Sequence, residues 1–375
     1  MKLVIQIPCF NEEKHLPLTL ANMPRQIEGV DEIEILIIDD GCTDRTVEVA
    51  RQWANENQFA LAIAHHTRNR GLAVAFQTGL NASLEMGADI IVNTDADNQY
   101  PSEAIPNLIQ PILLKQLDLV IADRQTQTIG HFSPTKKLFQ KVGSFSVSIF
   151  SGSKVPDAVS GFRAMSRETA LTLNVITSYT YTVETIFQAS KRNLAIGSIP
   201  IMTNAKTRDS RLVKSVWSYI KRMGGTIIRI YAMHEPLKFF IYCSVPFLLV
   251  GALGIGRFSY FFLTEKNLGN RFLQSVILSG VSIMLGIVLI LIGILADLIS
   301  RNRRLIEDSL FRVKRMELEI NKQKEREELL LSEIRALRSD LLPNRAIPPS
   351  TNGHYTPDKI EENLFEEIIP ARPGT

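Results

Sequence analysis

Short apolar runs alternate with longer amphipathic stretches through the first third of the chain. Leu3–Ile7, Ile33–Ile38, Leu61–His65, Asp89–Thr94 and Leu117–Ala122 have the length and side chains of buried strands. Between them, Lys14–Met23, Arg45–Asn57, Ala73–Met86 and Ser102–Leu114 have helical spacing, and Thr43 or Asp44 can cap the second of these. In the third, Ala75, Gly79 and Ala82 make a small-residue face suited to close packing. Strands alternating with helices predict an α/β domain whose mostly parallel sheet carries helices on its faces. The pattern is less regular from Arg124 to Asn204. There it predicts helices over Thr135–Phe150, Arg167–Leu173 and Tyr181–Lys191, a loop over Pro156–Arg163 and a strand at Ala195–Ile201.

The periodicity then changes character, and with it the expected organisation. Residues 1–205 form the α/β domain. Residues 206–237 are basic and aromatic, with Trp217, Tyr219 and Tyr231 among Lys214, Lys221, Arg222 and Arg229, as in helices that lie in a membrane interface. Residues 238–300 hold two long apolar runs, at about 239–263 and 272–298, each long enough for a ~30 Å hydrocarbon core. Their short link predicts a transmembrane hairpin. Residues 301–342 form a charged helix in which Ile306, Leu310, Val313 and Ile320, then Leu331, Ile334 and Leu341, fit a heptad frame interrupted by Glu317, Lys324 and Glu327. Either a short oligomerising coiled coil or a solvated helix answers to that pattern. Residues 343–375 read as a disordered tail.

Charge refines this picture. Net charge is only +3, which implies no pull toward nucleic acid. Basic residues crowd before the first span and at Arg301, Arg303 and Arg304 after the second, marking both flanks as cytoplasmic. An even number of crossings puts the α/β domain and the C-terminal helix on that side, in an inner or plasma membrane if the source is bacterial. Cys9, Cys42 and Cys243 have no metal-ligand spacing and suggest a reducing compartment. His65, His66 and His131 also lack ligand spacing and are expected to be structural or surface residues.

The candidate chemistry lies in three loops, each after a predicted strand: Pro8–Glu13, Asp39–Asp44 and Asp95–Gln99. In a parallel sheet they open on the same edge. That gathers Asn11, Glu12, Asp39, Asp40, Asp95 and Asp97 at one crevice. Such carboxylates repel one another unless they meet a cation and polar groups. Hard oxygen donors suit Mg²⁺ or Mn²⁺ held jointly with substrate phosphates. A nucleotide with a bridging metal meets that need, Asp39 accepting from base or ribose and Asp97 holding the metal.

Pro8-Cys9-Phe10-Asn11-Glu12-Glu13, Asp39-Asp40-Gly41-Cys42-Thr43-Asp44 and Asp95-Ala96-Asp97-Asn98-Gln99 resemble the motifs of family 2 GT-A glycosyltransferases. Arg70-Gly71, with Ala75 and Gly79, is similar to that family's loop and helix between them. Ser160-Gly161-Phe162-Arg163 resembles a motif of the polyprenyl-phosphate branch, dolichyl-phosphate mannosyltransferase-like and of the bacterial two-span type. The resemblance covers residues 3–300. It implies a Rossmann-like GT-A catalytic domain followed by a two-helix transmembrane hairpin, and the charged C-terminal helix read from its own pattern lies beyond it.

The resemblance also implies roles. Pro8, Phe10, Asn11, Glu12 and Asp39 would hold the nucleotide, with Asp95 contacting the nucleotide-sugar. Asp97 and Gln99 would ligate Mg²⁺ or Mn²⁺. Asp95, Asp97 and Arg163 form the expected catalytic set, and Arg163, Arg208, Ser210 and Arg211 the expected phosphate-binding set for the acceptor. The family often has Gly followed by Ser-Lys where this chain has Asp209-Ser210-Arg211, and Cys42 stands where Ser is usual. Glu184 matches a position near the acceptor or is a helix-surface carboxylate. The expected reaction is inverting transfer of a sugar from a UDP- or GDP-linked donor to polyprenyl phosphate, by a homo-oligomer. A phosphate oxygen is already an anionic nucleophile, so positioning and leaving-group stabilisation suffice. A saccharide-directed membrane transferase and a non-catalytic scaffold with a vestigial nucleotide site are the alternatives. The first lacks support because no Gln-x-x-Arg-Trp segment is present, and the second is opposed by the intact Asp39, Asp95 and Asp97.

Overall fold

A computed structural model describes residues 1–125, 155–175, 181–204, 224–225, 228–229, 231–233, 235–264 and 273–341. The expected helix over 135–150, most of the amphipathic stretch 206–237, the interhelical link and the tail 343–375 lie outside the described residues, as does His131. The chain divides into two compact units, residues 1–318 and 319–375.

The strands are β1 (Lys2–Cys9), β2 (Glu32–Asp39), β3 (Leu61–His65), β4 (Ile90–Asn93), β5 (Leu119–Asp123), β6 (Arg163–Ser166) and β7 (Ile196–Pro200). They form one sheet in the order β3-β2-β1-β4-β6-β5-β7. All pairings are parallel except those of β6, which runs antiparallel between β4 and β5. Leu3, Val4, Ile5 and Ile7 on β1 are all fully buried, as expected of a central strand covered on both faces.

Helices α1 (Leu16–Ala21), α2 (Thr46–Asn57) and α4 (Ile105–Leu113) cover one face, where Leu3, Ile5, Ile7, Ile35 and Ile37 meet Leu16, Leu20, Ala50 and Leu108. Helices α3 (Leu72–Glu85), α5 (Arg167–Thr172) and α6 (Thr182–Lys191) cover the other, where Val4, Leu36 and Ile38 meet Phe76, Leu80, Ala170 and Phe187. The strand order reverses at β1: β2 and β3 lie to one side and β4 to the other, which is where open α/β sheets form their binding crevice.

The antiparallel β6 departs from the sequence pattern, which left residues up to Arg163 as a loop. Arg-Ala-Met-Ser is too short and too polar at its ends to show strand alternation. Its conformation comes from neighbours, with Asn93 opposite Arg163 on one side and Ile121 opposite it on the other.

Two long helices follow, α7 (Pro236–Thr264) and α8 (Leu273–Leu341), and both are long and apolar enough to cross a membrane. Leu249, Leu253, Phe262, Leu278, Met284 and Leu291 are exposed, which a soluble core helix would not tolerate over such length. The helices meet through small residues. A Cβ on Gly251 would lie 2.4 Å from Ile283 Cγ1 and 2.9 Å from the Ser279 carbonyl oxygen, and Ser282 Oγ donates to the Phe247 carbonyl at 2.8 Å.

The second helix has no break at residue 300. Its continuation lies against the catalytic domain, with Phe311 and Leu318 packed on the α3/α6 core. Arg192 pairs with Asp308 at 3.0 Å and stands over the Phe311 ring, and Lys314 donates to Asn81 Oδ1 at 3.2 Å. Ahead of α7, Glu235 pairs with Lys191, the neighbour of Arg192. In the second unit residues 319–341 are helical, and Ile320, Leu330, Leu331, Ile334 and Leu337 are exposed.

Candidate active site

The first two loops are stitched together at the carboxyl edge of β1 and β2. Asn11, at φ 56°, accepts the Thr43 N–H on Oδ1 at 2.8 Å, and its own N–H points to Cys42 Sγ at 3.2 Å. The Glu12 N–H donates to Thr46 Oγ1 at 2.8 Å, and Asp44 accepts the Glu13 N–H at 3.1 Å. Gly41 turns the second loop at φ 73°, and a Cβ there would lie 2.5 Å from the Arg68 backbone. Burial, and Asp39 alongside, push the Cys42 thiol up to about 12 against the opposing Asn11 N–H. Phe10 is exposed beside them.

Asp39 ends β2 and Asp40 follows it on still-paired backbone, so their side chains serve different sides of the sheet. Asp40 and His66 close a buried network: Asp40 accepts from His66 Nδ1 at 2.8 Å and from the N–H groups of Arg70 and Gly71, while His66 Nε2 meets Thr78 Oγ1 at 2.9 Å. Asp39 is only 4% exposed, with Oδ1 taking the Cys42 N–H at 2.7 Å and Oδ2 lying 2.6 Å from His65 Nδ1. Burial alone would raise the Asp39 carboxyl. The hydrogen bonds from Cys42 and His65 outweigh it and hold the group below the usual carboxylate range, ionised at neutral pH.

The third loop leaves β4 on the other side of β1. Asn98 has φ 56°, the Gln99 N–H donates to Asp97 Oδ1 at 3.1 Å, and Asn204 donates to the Asn98 carbonyl at 3.0 Å. Asp95, Asp97 and Gln99 are all half-buried. Their oxygen donors suit Mg²⁺ or Mn²⁺, and among the described residues no group of three or more His, Cys, Asp or Glu closes a metal site alone. Phosphate oxygens of a substrate would complete such a site.

A buried polar layer supports Asp95. Gln6 Nε2 donates to Asn93 Oδ1 at 2.9 Å, and Asn93 Nδ2 donates to the Gly161 carbonyl at 2.8 Å and to the Tyr181 hydroxyl at 2.9 Å. The Gly161 N–H donates to the Tyr100 hydroxyl at 3.1 Å. A Cβ on Gly161 would come within 3.0 Å of the Tyr181 hydroxyl and 3.1 Å of Asp95 Oδ1, so the glycine lets the carboxylate close on the backbone. Burial raises both tyrosine hydroxyls, which stay protonated.

The structure thus carries Pro8 and Asp39 at the ends of β1 and β2, and Phe10, Asn11, Glu12, Asp95, Asp97 and Gln99 on the loops that follow, at one edge of the sheet. Arg163 is different, being 0% exposed. Its guanidinium donates to the Ser160 and Thr182 carbonyls and to Thr185 Oγ1. In this conformation it supports the Ser160–Arg163 turn through both terminal nitrogens, and its Nε is buried without a hydrogen-bond partner. Glu184 is also fully buried, not on a helix surface, and accepts from Gln188 Nε2. Arg208, Ser210 and Arg211 lie outside the described residues.

Sequence reasoning missed several partners. Arg124, at the end of β5, grips the buried Asp157 with Nε at 2.6 Å and Nη2 at 3.0 Å, a pairing across 33 residues with no local signal. His65 could have been found, because parallel pairing of β2 with β3 sets it beside Asp39.

Residues 4–172 match the glycosyl transferase family 2 model. The chain is 30% identical over 207 residues to the undecaprenyl-phosphate mannosyltransferase of Micrococcus luteus, covering 54% of this chain and 83% of that protein. It is 31% identical over 214 residues to the UDP-N-acetylglucosamine–dolichyl-phosphate N-acetylglucosaminyltransferase of Methanococcus voltae, covering 52% and 83%. A crystal structure of glucosyl-3-phosphoglycerate synthase from Mycobacterium tuberculosis with Mn²⁺, UDP and phosphoglyceric acid aligns at TM-score 0.48 and 18% identity, over 62% of this chain and 77% of that one. The chain belongs to glycosyl transferase family 2 and is a glycosyltransferase with a GT-A-like domain, followed by two long apolar helices.

Proposed function

We propose that this enzyme transfers a sugar from a UDP- or GDP-linked donor to polyprenyl phosphate at the cytoplasmic face of a membrane. The carrying observation is the acidic edge built by three loops on β1, β2 and β4, in a chain whose next elements are two apolar helices. Relatives named for undecaprenyl and dolichyl phosphate acceptors support the same reading. Pro8, Phe10, Asn11, Glu12 and Asp39 hold the nucleotide, and Asp95 orients the sugar diphosphate. Asp97 and Gln99 hold Mg²⁺ or Mn²⁺, which when bound neutralises charge on the departing diphosphate. Arg208, Ser210 and Arg211 meet the lipid phosphate at the membrane.

The acceptor phosphate oxygen attacks the anomeric carbon opposite the leaving group, so the configuration inverts and no general base is needed. Arg163 acts indirectly by holding the turn against Asp95. The contacts of Phe311 and Lys314 with the catalytic domain support placing that domain and the end of the second span on one side.

The test offers a panel of nucleotide-sugars to purified protein with Mg²⁺ and a polyprenyl phosphate, reading the lipid product by mass spectrometry. One donor should give a polyprenyl-phosphate sugar, and chelation or Asp97→Ala should cut the rate at least about 100-fold. No product with any donor or lipid would refute the reading.

A further inference from the structure

The two histidines that end β3 and follow it each meet an aspartate at the end of β2, but on opposite faces of the sheet. The pair on the α3 side is sealed, since His66 and Asp40 are both 5% exposed and every partner described above is internal. The pair on the crevice side is open. His65 is 61% exposed while the carboxylate it holds is 4% exposed. A sealed pair holds structure. An open pair, whose buried member belongs to the acidic edge, sets the orientation of a group that a ligand must reach.

A carboxylate swings over a broad torsional range about its last bond unless both oxygens are engaged. Asp39 is engaged from two separate elements, its own turn through the Cys42 N–H and the neighbouring strand through His65 Nδ1. The second contact fixes the carboxylate plane and leaves each oxygen acceptor capacity for a further donor. Register makes it dependable, because Asp39 and His65 are directly paired residues and the His66 N–H donates to the Asp39 carbonyl at 2.8 Å.

We infer that His65 is a positioning residue for nucleotide recognition, holding the Asp39 carboxylate in the plane that accepts hydrogen bonds from the donor's nucleoside. This rests on the assignment of Asp39 to the nucleotide proposed above. His65→Ala should raise the KM for the nucleotide-sugar about tenfold, the scale of a lost hydrogen bond to a charged group, with kcat and the lipid KM within about twofold. His65→Asn places an amide nitrogen where Nδ1 stands and should restore most of the donor KM.

Thermal denaturation of full-length protein should change little in both variants, given the exposure of the side chain. An unchanged donor KM in His65→Ala overturns the inference, and so does an equal KM rise in His65→Asn. Asp39→Asn, measured alongside, separates the two layers. If it weakens donor binding while His65→Ala does not, only the role of His65 falls. If neither variant changes donor KM, the nucleotide assignment of Asp39 falls with it.

Discussion

Arg163 lies in a fully buried turn and donates to two backbone carbonyls and a threonine hydroxyl. Removing such a group strands its acceptors and costs about 3–5 kcal/mol. Arg163→Ala should therefore lower the Tm of the protein by about 10 °C. Lysine should rescue it poorly, because an ammonium cannot reproduce the fork of a guanidinium. An unchanged Tm accompanied by a higher acceptor KM would instead return Arg163 to direct phosphate binding. The sequence made Asp39, Asp95 and Asp97 legible because strand ends and acidic loops are local features. It could not show that Arg163 turns inward, or that Arg124 reaches Asp157, because those contacts depend on a strand pairing that leaves no trace in the hydrophobic pattern.

Among elements, the strands and helices of the first 125 residues follow their apolar periods closely, since each is covered by neighbours on known faces. The four-residue β6 does not, because register with Asn93 and Ile121 imposes its conformation. The apolar runs at 239–263 and 272–298 were legible from length, but not which faces touch. Those contacts fall at glycines. Gly251→Leu should force α7 from α8, costing about 1–3 kcal/mol and lowering the detergent-solubilised Tm. Gly256 and Gly280, with nothing within 4 Å of an added Cβ, should accept leucine without that loss. Equal effects at all three positions would show that the helices do not meet through Gly251.

Across residues 1–318, the catalytic domain and the helix that follows the second apolar run form one packed body. The sequence pattern ends a span near 298 and starts a separate charged helix at 301; the structure continues through both, because nothing in Ile299–Arg304 breaks a helix. Phe311 faces the α3/α6 core and Arg192, whereas Leu310 is exposed. Phe311→Glu should raise amide hydrogen exchange in Ile186–Arg192 about tenfold, while Leu310→Glu leaves it unchanged. Matching exchange in the two variants would show that the helix does not dock there.

An unjointed α8 has a mechanical consequence. A stiff rod gripped by lipid along one stretch and by a folded body along the next transmits any roll of the buried stretch directly to that body, with no hinge to absorb it. On the function proposed above, the mouth of the crevice then stays at a set height and heading above the bilayer. Supply of substrate is left to the sideways drift of isoprenoid chains, which must arrive with their headgroups at that level.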